Sequence, residues 1–263
     1  MNRHLPPLSA GPFLVLLSSF LLGPAAELKG QEEAPPQPDW SLESEVGASV
    51  FFGASDQTTV ATRIEVAREG PRFEVEGDAS FLYGEATDNE GETFVNKRSW
   101  SLGSNLDYRG FSRVNPYGFA TARSSLEKAI RIRYTGGAGA KLTALDSESS
   151  NLDFAVAVLL EKTVEDSPDN GDSELLARWM GEFHLRRAFS GGRTVFTAKA
   201  DYTPVFDELA NYTVKAESSV AFKLSEVISL KLSVVDDYDS RARRRGARDN
   251  NDGRILFSVL SSF

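Results

Sequence analysis

The side chains in this 263-residue sequence that could do chemistry are charged, and most recur at every second position. Glu43, Glu45, Arg63, Glu74, Glu76, Asp78, Asp107, Arg109, Arg131, Arg133, Lys141, Asp153, Glu161, Arg178, Glu182, His184, Lys199, Lys215 and Lys231 each fall on the polar face of an alternating segment. Acids and bases are mixed along the set. Charges so arranged can guide ions along an aqueous path, or pair across strands and fill the space between them. Acid–base catalysis asks for more, namely a group titrating near neutrality beside a nucleophile. The histidine outside the leader is His184, and Arg186 stands where a serine would complete a His-x-Ser pair. His184 shares its face with Glu182 and Arg186 and reads as a satisfied polar residue, so no catalytic residue is assigned.

Two further blocks lie between alternating segments. Arg241, Arg243, Arg244, Arg245 and Arg248, with Arg254 beyond them, offer guanidinium forks suited to the phosphates of lipopolysaccharide. Asp166, Asp169, Asp172 and Glu174 surround Asn170-Gly171 with oxygen ligands of the kind calcium or magnesium takes. They lack the spacing of a calcium loop, and a solvated acidic loop is the plainer reading. The sequence holds no cysteine, which leaves no disulfide, no thiolate metal site and no lipidated amino-terminal cysteine. No cofactor or metal is expected.

The elements that must position the charges are strands, because the alternation has period two. Phe73, Val75, Ala79, Phe81 and Tyr83 oppose Glu74, Glu76, Asp78 and Ser80, a pattern that no amphipathic helix produces. Similar runs begin near Trp40, Thr58, Val95, Asn115, Ile132, Leu152, Leu175, Phe196, Tyr212, Ile228 and Ile255, which makes twelve. In the fifth run, Tyr117 and Phe119 share their face with Arg123, so its facing is ambiguous. In the sixth, Gly136, Gly137 and Gly139 predict a bend or a close backbone approach. The connections near Gly70-Pro71, Gly110 to Val114, Asp146 to Ser150, Ala188 to Gly192 and Ser225 to Val227 are short. The long ones, Glu85 to Thr93, Glu165 to Ser173 and Asp239 to Gly253, all fall on the other side. Tyr83, Trp100, Tyr108, Tyr117, Tyr134, Trp179, Tyr202, Tyr212 and Tyr238 lie mainly near strand ends, where an interfacial girdle would sit.

This pattern predicts an all-β fold, a twelve-stranded antiparallel transmembrane β-barrel of the Gram-negative outer-membrane type, over residues 40–263. Residues 1–26 read as a cleaved signal peptide, with Arg3, an apolar run from Phe13 to Leu22 and small residues at Gly23 to Ala26. Residues 27–39, with Pro35, Pro36 and Pro38, read as a disordered lead-in. Without the leader's Arg3, 28 of the 29 basic residues stand against 38 acids. That balance argues against a nucleic-acid partner. The final run, Ile255 to Phe263, places Ile255, Phe257, Val259 and Phe263 on one face and ends on an aromatic, as a strand presented to the barrel-insertion machinery does.

Trp40-Ser-Leu-Glu-Ser-Glu-Val-Gly, Asn115-Pro-Tyr-Gly-Phe-Ala-Thr-Ala-Arg and Ile132-Arg-Tyr-Thr-Gly-Gly-Ala-Gly-Ala carry a further resemblance. Over Trp40 to Phe263 the chain resembles the YdiY-like family, described as salt-induced outer membrane proteins. The resemblance implies a barrel in the outer membrane and brings no site residues. The expected function is a narrow small-solute or ion channel linked to osmotic or salt conditions. The alternatives are a filled structural barrel whose external loops meet lipopolysaccharide or a partner, and, least favoured, a barrel-embedded enzyme.

Overall fold

The computed structural model describes residues 39–263 apart from 52–55, 89, 112, 166–172 and 174. The segment read as a signal peptide, nearly all of the expected lead-in and the acidic stretch carrying Asp166, Asp169, Asp172 and Glu174 therefore lie outside the described residues, apart from Ser173. Twelve strands follow in order: β1 (Asp39–Phe51), β2 (Asp56–Glu69), β3 (Phe73–Thr87), β4 (Thr93–Tyr108), β5 (Val114–Ser125), β6 (Ile130–Ser147), β7 (Ser150–Glu165), β8 (Leu175–Phe189), β9 (Thr194–Pro204), β10 (Tyr212–Lys223), β11 (Ile228–Asp239) and β12 (Asn251–Ser262).

Every strand pairs antiparallel with its sequence neighbours, and β1 pairs with β12, so the sheet closes. Closure leaves no edge strand unpaired. The seam is completed at its end by two main-chain bonds, Leu42 N–H to Phe263 O at 3.0 Å and Phe263 N–H to Leu42 O at 2.9 Å. The connections after β2, β4, β6, β8 and β10 lie at the end of the barrel that holds this seam; those after the odd-numbered strands lie at the far end.

The two faces are inverted relative to a soluble protein. Leu102, Val156 and Phe257 are 58%, 66% and 65% exposed on the outside, whereas Arg133, Glu161, Arg178 and Asp239 are buried within. An apolar exterior around a polar interior is the arrangement that lipid demands of a barrel, since each strand must hide its main chain and present alternate side chains to hydrocarbon.

Local departures from the alternation have identifiable causes. Tyr117 and Phe119 point inward, stacked with ring centroids 6.0 Å apart, and pack with Ala155, Ala157 and Met180. Tyr117 thus leaves the expected aromatic girdle. The room for Phe119 comes from Gly137, where a β-carbon would lie 2.7 Å from the ring, and Gly139 brings β6 against Val156 and Ala157 of β7 just as closely. Gly137 and Gly139 thus serve close approach, whereas a β-carbon at Gly136 would meet nothing nearer than 3.9 Å. A bulge at the start of β6, between Ile130 and Ile132, inserts one residue. It turns Ile130 into the interior, where it is 2% exposed, and leaves Arg131 outside the inward row.

Candidate functional site: the charged lumen

The inward face of the barrel is the candidate site. Near the seam end, Arg109 pairs with Glu74 and lies 3.4 Å from Glu69. Lys141 bonds Asp107 at 2.8 Å and sits 5.8 Å above the Tyr117 ring. Further along, Lys231 reaches Glu45 at 2.9 Å and Glu217 at 3.7 Å, and Arg63 holds Glu65 at 2.6 Å. Arg63 of β2 also approaches Glu217 of β10 at 3.7 Å, a contact that skips three strands and therefore crosses the interior. Glu43 accepts from the Ser262 hydroxyl at 3.3 Å, and Asn105 donates to Glu76 at 3.5 Å.

Beside β8, β9 and β10 the lumen is less filled. The Lys199 side chain pairs with Glu182 at 3.3 Å yet remains 52% exposed, and Lys215, opposite Asp201 and Asp237, is also exposed. His184 lies between Asp153 and Lys199 as cross-strand neighbours, with Nδ1 3.9 Å from the Asp153 carboxylate. Neither neighbour is a nucleophile. Exposed charged groups on the inside of a closed sheet face water, so this wall borders an aqueous space.

At the far end the interior is closed by a buried network. Glu161 receives Arg178 Nη2 at 3.0 Å and lies 3.6 Å from Arg133 Nε. Asp239 receives Arg133 Nη2 at 3.1 Å and Arg245 Nη2 at 2.6 Å. Arg178 Nη1 donates to the main-chain oxygens of Thr203 at 3.0 Å and Asn211 at 3.3 Å, which ties the β9–β10 connection to the network. Across the mouth, Lys128 Nζ donates to Asp237 O and Asn250 O, both at 2.6 Å. Lys128 follows β5 and Asn250 precedes β12, and β6 and β12 are six strands apart in the ring of twelve, so this tie spans the barrel. Burial pushes the Lys128 ammonium below its ordinary range, opposed by the carboxylates of Asp237, Asp252 and Asp239. Lys97 bonds Asp252 at 2.6 Å.

The β11–β12 connection thus folds into the mouth. Its 3-10 turn, Arg243–Arg245, follows Ala242, which is fully buried, and ends at Gly246 with φ 96°, a left-handed conformation suited to glycine. Of the arginines read as surface groups, Arg243, Arg244 and Arg248 are exposed; Arg241 pairs with Glu208, and Arg243 with Asp249 at 3.1 Å. Arg245 is a correction: its side chain enters the lumen to reach Asp239, which removes it from lipopolysaccharide. Arg254 also differs from expectation, since it belongs to β12 and lies beside Asp252 at 3.1 Å.

The inward row holds residues absent from the predicted set. Arg123 follows from Tyr117 and Phe119 facing inward, as period two requires once that facing is settled. Asp239 and Asp252 continue the inward alternation of β11 and β12 beyond the residues read as strand, whereas Lys128 owes its place to a connection that turns into the mouth, for which alternation carries no signal. Among the described residues, no cluster of three or more acids or histidines has the arrangement of a metal site.

A closed antiparallel barrel of twelve strands, apolar outside and charged inside, is a transmembrane β-barrel. The chain belongs to the family described as "Protein of unknown function, DUF481", whose model matches residues 44–263. No curated protein matches it closely enough to be called a relative. It is similar to the solved NanC porin at 11% identity and TM-score 0.49, covering 84% of this chain and 98% of that one. It is also similar to the COG4313 outer membrane channel from Pseudomonas putida F1, at 9% identity and TM-score 0.47, covering 90% and 99%. The KdgM porin aligns at 10% identity and TM-score 0.43, over 85% and 99%. At such identities a similar barrel says nothing of a similar solute.

Proposed function

We propose that the protein is a passive outer-membrane channel for ions or small polar solutes, exported by a cleaved signal over residues 1–26 and inserted through Ile255 to Phe263. One observation carries this reading: within an apolar shell, the wall around Lys199 and Lys215 presents exposed charge to an internal aqueous space. The far mouth is shut in this state by Arg245, Lys128 and their partners. The β11–β12 connection is the gate, because it carries Ala242 and Arg245 from a loop into the mouth. A gate held by ion pairs opens more readily as salt rises, since free ions stabilise the separated charges. This gives a physical basis for a link to salt or osmotic conditions. The chain is not an enzyme in this reading, and its lumen histidine serves charge rather than chemistry.

A second reading is favoured by the exposure of Arg243, Arg244 and Arg248. In it the barrel stays closed and its far-end arginines hold lipopolysaccharide phosphates. Single-channel recording of the refolded protein in planar bilayers decides between the two. Discrete, ion-selective steps support the channel, and a protein that inserts and stays silent in all conditions refutes it.

A further inference from the structure

Arg123 and Arg133 stand directly opposite one another in the β5–β6 register, both on the inward face. Like charges at directly opposed positions repel, and here the repulsion is not relieved by separate partners. Arg133 is 1% exposed. Its Nε donates to the Thr163 hydroxyl at 2.8 Å and its Nη2 to Asp239 at 3.1 Å, but its Nη1 is buried with no acceptor. Arg123 is half-buried and makes no ion pair or side-chain hydrogen bond among the described residues. Around them, Arg178 and Arg245 share two carboxylates, Glu161 and Asp239. The carboxylates of Asp237 and Asp201 also act on Arg123, though neither pairs with it.

We propose that Arg123 and Arg133 form a binding site for an oxyanion, the carboxylate or phosphate group of a small solute, entered from the lumen. A buried guanidinium N–H without an acceptor is costly, and an oxyanion supplies that acceptor. Two neighbouring guanidinium groups also suit an ion with several oxygens better than a spherical one, because each offers its N–H groups in a planar fork. Arg123 provides the access, since it is the member of the pair that borders the lumen. The site does not depend on conduction: it would bind its ion in a closed barrel as well as in an open one.

The test is equilibrium titration of the refolded, detergent-solubilised protein with sodium phosphate, with acetate and chloride as comparison salts at matched ionic strength. Saturable phosphate binding at one site is expected, with chloride giving none. Acetate binding alongside phosphate would mark a general oxyanion site, and its absence a phosphate site; both fall within the proposal. Arg123→Gln should weaken phosphate binding by about tenfold or more, the loss of one charged hydrogen bond. Arg187→Gln, an exposed residue near the seam end, serves as the control and should bind as the unaltered protein does. Should Arg123→Gln fail to show the gel mobility of a folded barrel, Arg123→Lys keeps the charge and loses the fork, and it too should bind more weakly. No saturable binding, binding of chloride as strong as that of phosphate, or equal affinity in the folded Arg123 variant and the unaltered protein would each overturn the site. Because the readout is binding, a silent bilayer recording leaves this test intact.

Discussion

Lys128 and Asn250 meet across the mouth of the barrel, the ammonium of one donating to the main-chain oxygen of the other at 2.6 Å. They belong to connections on opposite sides of the ring, so the bond is a tie between walls and not a local cap. A carbonyl acceptor makes the tie depend on where the β11–β12 connection lies rather than on which side chain stands at position 250.

Removing that tie should open the mouth. Lys128→Ala deletes two hydrogen bonds of about 1.5–3 kcal/mol each to a charged donor. Its single-channel records should show a higher open fraction than the unaltered protein. An unchanged open fraction in a folded variant would place the gate elsewhere.

Lumen charge should set ion preference. Lys215→Glu reverses an exposed inward charge and should move the reversal potential in a salt gradient toward cation preference; Glu76→Lys should move it the other way. Opposite shifts are the signature to look for, since a general disturbance of the barrel would move both variants alike.

The far-end network should matter for stability as well as closure. Arg133→Ala strips Asp239 and Glu161 of a shared partner while both remain buried, each keeping one guanidinium, and the loss of a charged hydrogen bond of this kind costs about 1.5–3 kcal/mol. The temperature at which the folded gel band converts to the unfolded one should fall accordingly. A variant with an unaltered transition would mean that water replaces the guanidinium at little cost.

Arg244 and Arg248 separate the two functional readings. Their joint substitution by glutamine should weaken binding to lipopolysaccharide micelles and leave conductance as it was, because both are exposed and neither reaches the network in the mouth. A change in conductance without a change in binding would shift the role of this connection from lipid contact to gating.

Raising ionic strength should increase the open fraction. The pair Arg245–Asp239 must separate for the connection to leave the mouth, and salt stabilises the charges so released. Recording at fixed voltage over a series of sodium chloride concentrations, with the open fraction rather than the current as readout, tests this directly.

The fold was legible because lipid and lumen impose the same period-two demand on every strand. Phe73 to Tyr83 could be read in isolation, and so could the number of strands and the side on which the short turns lie. Arg131 was misplaced because one inserted residue at the β6 bulge shifts the facing of everything before it, and a bulge has no mark in the alternation. Tyr117 was misplaced for a different reason: it shares its face with Phe119, and only the partner strand reveals that Gly137 leaves the space for Phe119 to pack inward. Arg245 and Asp239 lay in what reads as an ordinary charged loop. The burial of Arg245 follows from the path of the β11–β12 connection, a property of three-dimensional closure with no local signature, whereas Asp239 ends β11 on the same face as Lys231.

The inward packing of Tyr117, Phe119 and Met180 thickens one wall of the barrel, while the exposed lysines stand on another. The free bore is therefore eccentric. If the channel reading holds, a solute would travel with an oily shoulder on one flank and ammonium groups on the other, and amphiphilic molecules would be turned to a fixed orientation in transit.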